Sequence, residues 1–320
     1  MRWLVATLRP QAAFGTPLRG DTLFGQLCWA IRHRRGEARL AALLEGYTAG
    51  RPFLVASDAF PAGFLPRPEL PPPPIDPLQR KKARKGRYLA ARLFEGLLPP
   101  LPDEADIAGD PFTPGAQAHN SISRATGTTG TGFDPFQMER RWPSRPRSDG
   151  KPPEVPRLEV HLVHDPARLA RAELEQALAD VGSWGFGRDA SIGLGRFEIL
   201  AWADGRPSGA ARPDAFLALA PSAHVAGSLD PARSFFRPFT RFGRHGADAA
   251  LSGQAFKTPV LMMDTGAVLA PRDPGADPLV LGRGLGGDGR LSGAIPATVQ
   301  QAYAPVVPLV ARWAEVEQAA

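Results

Sequence analysis

Four glycines within eleven residues, Gly185, Gly187, Gly193 and Gly195, constrain this chain more than any other segment. The run reads Gly185-Phe-Gly187-Arg-Asp-Ala-Ser-Ile-Gly193-Leu-Gly195-Arg196-Phe197. Upstream, Leu174, Ala177, Leu178 and Val181 recur at the spacing of one helix face. Downstream, Arg196 to Trp202 reads as a strand. A helix therefore enters the glycine turn and a strand leaves it. That order excludes a nicotinamide site, although Gly185, Gly187 and Ala190 formally match G-x-G-x-x-G/A. The dinucleotide motif needs the strand first, because the pyrophosphate rests on the N-terminus of the helix that follows. Gly282, Gly284 and Gly287 match it too, but Asp288-Gly-Arg-Leu-Ser-Gly293 cannot start a good helix. The loop has no lysine for a P-loop, and Asp189 stands where a nucleophile elbow needs its first glycine. Two readings stay open. Either the backbone N–H groups approach phosphates, with Arg188 and Arg196 supplying charge, or the glycines only turn the chain tightly.

The 320 residues suffice for about two domains. Trp3 to Leu8 reads as a buried strand, and Asp21 and Thr22 open a helix carrying Phe24, Leu27, Cys28 and Ile31 on one face. Arg32-His33-Arg34-Arg35 suits the negative end of that helix, and Gly36 stops it. A proline-dense stretch, with Pro71 to Pro74 consecutive, leads into Arg80, Lys81, Lys82, Arg84, Lys85 and Arg87. The other 32 Lys and Arg match the 32 acids, so this segment carries the formal charge of +6. It is either a contact for a polyanion or a solvated charge run. Residues 103–156 are polar and rich in Gly, Thr and Pro, as in an arm or hairpin, and Leu158, Val160 and Leu162 mark a half-buried strand. The second half shows strands near 215–220 and 259–263 and a helical tail.

Cys28 is the only cysteine, which excludes internal disulfides and cysteine zinc sites. No run of 18 apolar residues exists, and the first ten residues are too charged for a signal peptide, so the expectation is a cytoplasmic protein without membrane contact. His161 and His164 project to opposite faces of a strand and cannot readily share a metal; they read as surface or edge histidines. The expectation is therefore no metal, no cofactor and no catalytic residue.

The spacing G-φ-G-x₅-G-x-G-x-φ resembles the signature of the RAMP superfamily, the RNA-binding subunits of CRISPR effector complexes. Thr16-Pro-Leu-Arg-Gly-Asp-Thr-Leu-Phe-Gly-Gln-Leu-Cys-Trp-Ala-Ile31 and Asn120-Ser-Ile-Ser-Arg-Ala-Thr-Gly-Thr-Thr-Gly130 with Gly132-Phe133 are similar to segments of the fourth-subunit family of type III-A Csm complexes. So are Arg241-Phe-Gly-Arg-His-Gly246, Phe256-Lys-Thr-Pro-Val-Leu-Met-Met-Asp-Thr-Gly266 and Gln301-Ala-Tyr-Ala-Pro305, where Ala302 replaces an expected glycine. The resemblance implies an α+β chain of two ferredoxin-like (RRM-type) domains. The first would span 1–204, with an insertion at about 37–156 and the glycine-rich loop at 185–197; the second would span 205–320. It also implies binding of the 5′ repeat-derived tag of a crRNA without catalysis. The partners would be the large polymerase/cyclase-like subunit and the backbone RAMP subunit, with target RNA passing indirectly near the tag end.

Candidate RNA contacts are Arg19 and Thr22 at the first helix, where orphan N–H groups suit phosphate or Asp21 and Thr22 simply cap. Further candidates are Arg80, Lys81 and Lys82; Arg124, Thr126, Thr128 and Phe133 in the arm; and Gly185, Phe186, Gly187, Arg188, Ser191, Gly193, Gly195 and Arg196 in the loop. Arg244, His245 and Lys257 complete the set. Phe235, Phe236, Phe239 and Phe242 are an aromatic platform, an interface or buried core. Two other functions compete: a metal-independent crRNA-processing ribonuclease using a histidine general base, and a protein–protein adaptor.

Overall fold

The computed structural model describes residues 1–71, 86–129, 134–143, 154–246, 255–273 and 277–311. Arg80, Lys81, Lys82 and Phe133 lie outside them. The first half contains β1 (Arg2–Pro10), α1 (Gly20–Arg35), α2 (Glu37–Leu44) and β2 (Leu54–Pro61). Next come β3 (Phe64–Pro66), β4 (Tyr88–Ala90), β5 (Ile107–Ala108), β6 (Thr113–His119) and β7 (Phe136–Trp142). Then follow β8 (Leu158–His164), α3 (Arg171–Trp184) and β9 (Phe197–Asp204). The second half holds β10 (Ala215–Ala218), β11 (Pro238–Arg241), β12 (Val260–Met263), β13 (Val268–Leu269), β14 (Val280–Gly286) and β15 (Val299–Leu309).

The first sheet has the order β2-β8-β1-β9 with every neighbour antiparallel, Leu4 facing Leu162 and Ala6 facing Val160. Since α1 leaves β1 and α3 leaves β8, the connectivity is βαββαβ. Helix α1 stops where expected: Gly36 sits at φ +86°, and its N–H donates to the Arg32 carbonyl at 2.8 Å. Strand β2 lies inside the stretch 37–156 expected as an insertion. The excursion from the sheet instead runs between β2 and β8. It contains the small sheet β3-β4-β5 and the antiparallel hairpin β6–β7, the latter in the region read as an arm.

The second sheet, β13-β10-β15-β14, is again antiparallel. After Asp204 the described residues contain no α-helix, so the helical half of a second βαββαβ unit is not seen there. The long strand β15 closes this half, and the helical tail expected at the end of the chain lies outside the described residues. Gln301 on β15 ties the halves together: its side-chain amide donates to the Ala56 carbonyl at 2.7 Å and its oxygen accepts the Ala56 N–H at 2.8 Å. Tyr303 adds a hydroxyl bond to the Tyr47 carbonyl at 2.9 Å. One apolar core joins Phe24, Leu27 and Leu178 to Leu217, Val307 and Leu309 of the second sheet. Ala302 is fully buried, and the close backbone approach expected of a glycine there is made instead by Gly282, whose added Cβ would overlap the Ala302 carbonyl.

The histidines of β8 correct the sequence reading. This strand is flanked by β2 and β1, and nearly all of it is buried. His161 accepts the Trp3 indole N–H at 3.3 Å, packs beside Phe60 and is held down to about pKa 3 by burial. His164 is equally buried against the Leu169 carbonyl at 2.9 Å. They are core groups, not edge groups.

Candidate nucleic-acid interface

The glycine-rich loop connects α3 to β9 as its order required. Gly185, Gly187, Gly193 and Gly195 all have positive φ, between 71° and 98°. The space around them differs. A Cβ on Gly185 would overlap the Leu194 carbonyl, and one on Gly195 would overlap Phe186. On Gly187 it would meet the Thr16 side chain at 2.7 Å, whereas around Gly193 there is open space. Three of the four glycines thus let protein approach protein, which is the tight-turn reading; only Gly193 leaves room for a ligand. Phe186, expected near RNA, is fully buried against Phe14, because its N–H donates to Gly195 O at 3.0 Å and carries the ring inward. Asp189 holds φ +64°, the one described non-glycine residue in that region, and its carbonyl accepts the N–H groups of Ile192 and Leu194.

Arg188 docks the loop onto the hairpin: its guanidinium donates to the Glu139 carbonyl at 2.6 Å, while its N–H donates to Thr16 Oγ1 at 3.0 Å. Ser191 and Arg196 are exposed beside it. The hairpin is fixed to the same place by the paired backbone bonds between Phe14 and Arg141. Strand periodicity puts Phe136, Met138, Arg140 and Trp142 on one face of β7. Phe136 and Trp142 are about half exposed, and Phe136 stacks on His119 at 5.3 Å. Arg140 is buried, and its Nε–H has no hydrogen-bond partner. At the far end Arg124, Thr126 and Thr128 lie on an exposed turn, with the two threonine hydroxyls 3.1 Å apart. The sequence names the loop, the turn and the basic end of the arm at Arg140, but not Phe136 and Trp142; the period-two spacing of the three is the signal that links them.

The remaining candidates gather at the start of α1, and there protein groups occupy them. Arg19 pairs with Asp264 at 2.8 Å over the Phe239 ring, so its charge is already answered. The Gly20 N–H donates to Asp58 at 2.8 Å. Arg241 grips the Asp21 carboxylate and donates to Thr22 Oγ1 at 2.7 Å. Neither Asp21 nor Thr22 caps the helix. The positive end of α1 is thus met by carboxylates of the chain itself, which replaces the expected phosphate site at Arg19 and Thr22. His245 is also withdrawn: it is buried on Ser292 at 2.8 Å, with its pKa lowered by burial and by Lys257. Lys257 faces inward, its pKa lowered by burial despite the attraction of Asp21. Of this group only Arg244 projects outward, over the Phe256 ring.

Burial pushes the Asp58 carboxyl up to about 6, against the pull of Arg19, the Gly20 N–H and the Thr265 hydroxyl. The folded state then holds this proton more tightly than the unfolded chain. Its contribution to stability is complete below about pH 4 and is lost as pH rises through 6, on the order of 3 kcal/mol. Asp58→Asn should match the wild type in urea midpoint at pH 4 and exceed it at pH 7. Parallel curves across that range would refute the assignment.

No family model matches the sequence, and no curated protein matches it. Solved structures do. A chain from the Csm1-Csm4 cassette in complex with cA4 superposes with a TM-score of 0.60 at 15% identity, over 97% of this chain and 98% of that one. One from the cassette in complex with pppApA gives 0.59 at 15%, over 98% and 100%. One from the Csm3-Csm4 subcomplex of the type III-A CRISPR-Cas interference complex gives 0.57 at 12%, over 97% and 100%. Coverage this complete in both directions is a likeness of whole chains. At 12–15% identity the likeness is one of fold. Csm4 is the component common to the two kinds of assembly, and this chain has a Csm4-like fold.

Proposed function

We propose that this chain is a non-catalytic RNA-binding subunit of a type III-A CRISPR Csm complex. It caps the 5′ repeat-derived tag of the crRNA and bridges the large polymerase/cyclase-like subunit to the backbone RAMP filament, in antiviral defence. The observation that carries the reading is the end-to-end correspondence with chains from assemblies of Csm4 with Csm1 and with Csm3. The surface agrees in chemistry. Arg188, Arg196 and Arg124 offer cations for phosphate, and the half-exposed rings of Phe136 and Trp142 offer stacking faces for unpaired bases. Catalysis is disfavoured because His161, His164 and His245 are buried, leaving few histidines placed to take a 2′-hydroxyl proton. No helix among the described residues is long and apolar enough to cross a membrane.

The test is a salt titration of tag-containing RNA on the full chain, or on its complex, in EDTA. Neutralising four of Arg80, Lys81, Lys82, Arg84, Lys85 and Arg87 should reduce the slope of log affinity against log salt by roughly 0.7 for each phosphate that is no longer neutralised. Phe133→Ala should weaken binding with the slope largely intact, since stacking releases few counterions. Cleavage of repeat RNA to a defined product would overturn the non-catalytic reading. An unchanged slope would remove the basic segment from the RNA contacts, and absence of tag binding would overturn the function.

A further inference from the structure

The ribbon β11–β12 has two faces of different character. Thr240 stands opposite Leu261 and Phe239 opposite Met262. Past an irregularity the ladder continues with Arg244 opposite Phe256, bracketed by bonds from His245 N–H to Ala255 O (2.8 Å) and Lys257 N–H to Gly243 O (2.9 Å). Burial alternates along the first strand: Phe239, Arg241 and Gly243 are partly covered and His245 is buried, while Thr240, Phe242 and Arg244 are exposed. The inner face is anchored on α1 through Arg241 on Asp21 and Phe239 beneath Arg19. On the outer face Phe242, Phe256 and Leu261 are 71%, 73% and 70% exposed, the most exposed large apolar side chains among the described residues. A ribbon packed on one side ordinarily turns polar residues to water on the other. Here the solvent side is apolar while the inner face is tied to α1, the mark of a face that another molecule covers.

We propose that this outer face docks a second protein subunit, one presenting an apolar patch with a carboxylate placed to meet Arg244. The inference rests on the reading of the chain as part of a multi-subunit complex and names the surface that reading needs. A protein fits better than RNA because Arg244 is the only cation among Thr240, Phe242, Phe256, Pro259 and Leu261, and its guanidinium lies 5.6 Å over the Phe256 ring. Nucleic-acid interfaces are strongly cationic. Protein interfaces are depleted in charge at their centre and enriched in aromatic residues and arginine. The three side chains supply roughly 300–500 Å² of apolar surface, about half of the ~800 Å² that each partner buries in a stable pair. The ribbon can therefore supply the apolar centre of an interface but not all of it.

The test uses the full chain with purified Csm1-type and Csm3-type proteins of the same locus. Leu261→Asp, and separately Phe242→Ser with Phe256→Ser, should lower affinity for one of the two proteins by about 30-fold or more. Because the altered side chains are exposed, thermal midpoints should stay within a few degrees. Affinity for tag RNA should stay within about twofold, and Arg244→Glu should weaken the same pairing. Wild-type pairing by both variants would overturn the proposal. Loss of RNA affinity in the phenylalanine variant would overturn it in favour of a base platform. Concentration-dependent self-association of the isolated chain, abolished by Leu261→Asp, would overturn it in favour of a second copy. If the unaltered chain pairs with neither protein, the functional reading fails as well.

Discussion

Gly195→Ala is expected to destabilise the chain by about 3–4 kcal/mol, while Gly193→Ala, two residues away, removes only about 1–2 kcal/mol. Both positions have positive φ, which disfavours any residue with a Cβ by roughly 1–2 kcal/mol. The environments then separate them. A Cβ at 195 would overlap the Phe186 backbone, and Phe186 is locked in the core with Phe14. Moving it also strains the bonds from Phe186 N–H to Gly195 O and from Gly195 N–H to Ala13 O. Forced overpacking of this kind adds about 1–3 kcal/mol. A Cβ at 193 meets nothing within 4 Å. Urea denaturation of the two variants decides the matter; equal stabilities would mean that the loop shifts freely and does not pack the chain. Gly193→Ala, which stays folded, is then the variant in which to ask whether that open position touches RNA.

How far the sequence could be read follows from the range of the interactions. Strand β1 and helices α1 and α3 announce themselves by local apolar spacing, and the helix–glycine–strand order is legible in the same way. The hairpin β6–β7 could be placed because its composition is too polar for core. What stayed hidden depends on distant partners. Nothing near Asp21 shows that Arg241 would take its carboxylate, or that Asp58 and Asp264 would surround the start of α1. Phosphate was therefore assigned to a helix terminus already met by acids of the chain. His161 misled for a related reason: a strand looks half-buried when its alternation is read alone, but β8 is buried on both faces, with His161 packed against Trp3 and Phe60 from the neighbouring strands. Pro305 and Pro308, which suit no helix interior, lie in β15.

Arg241→Leu tests the ion pair that ties the ribbon to the start of α1. Asp21 is 8% exposed and lies in the first turn of α1, and Arg241 reaches it from the ribbon, 220 residues away in sequence. Removing the guanidinium leaves a buried carboxylate facing Thr22, which also loses its 2.7 Å bond from Arg241. Breaking one side of a buried pair destabilises by about 3–5 kcal/mol, because the remaining charge keeps its desolvation penalty and loses its partner. The double substitution Arg241→Leu with Asp21→Leu removes both charges and should recover most of that loss. Recovery should stop short of complete, since Lys257 is stabilised in its charged form by Asp21 and would then be buried without that carboxylate. The ribbon should loosen in the single variant, so the pairing predicted for its outer face should weaken there and return in the double variant. The measurement is a double-mutant cycle in urea at pH 7. A double variant no more stable than Arg241→Leu alone would show that Asp21 is balanced by Lys257 rather than by Arg241, and that the ribbon is held to α1 by its apolar inner face.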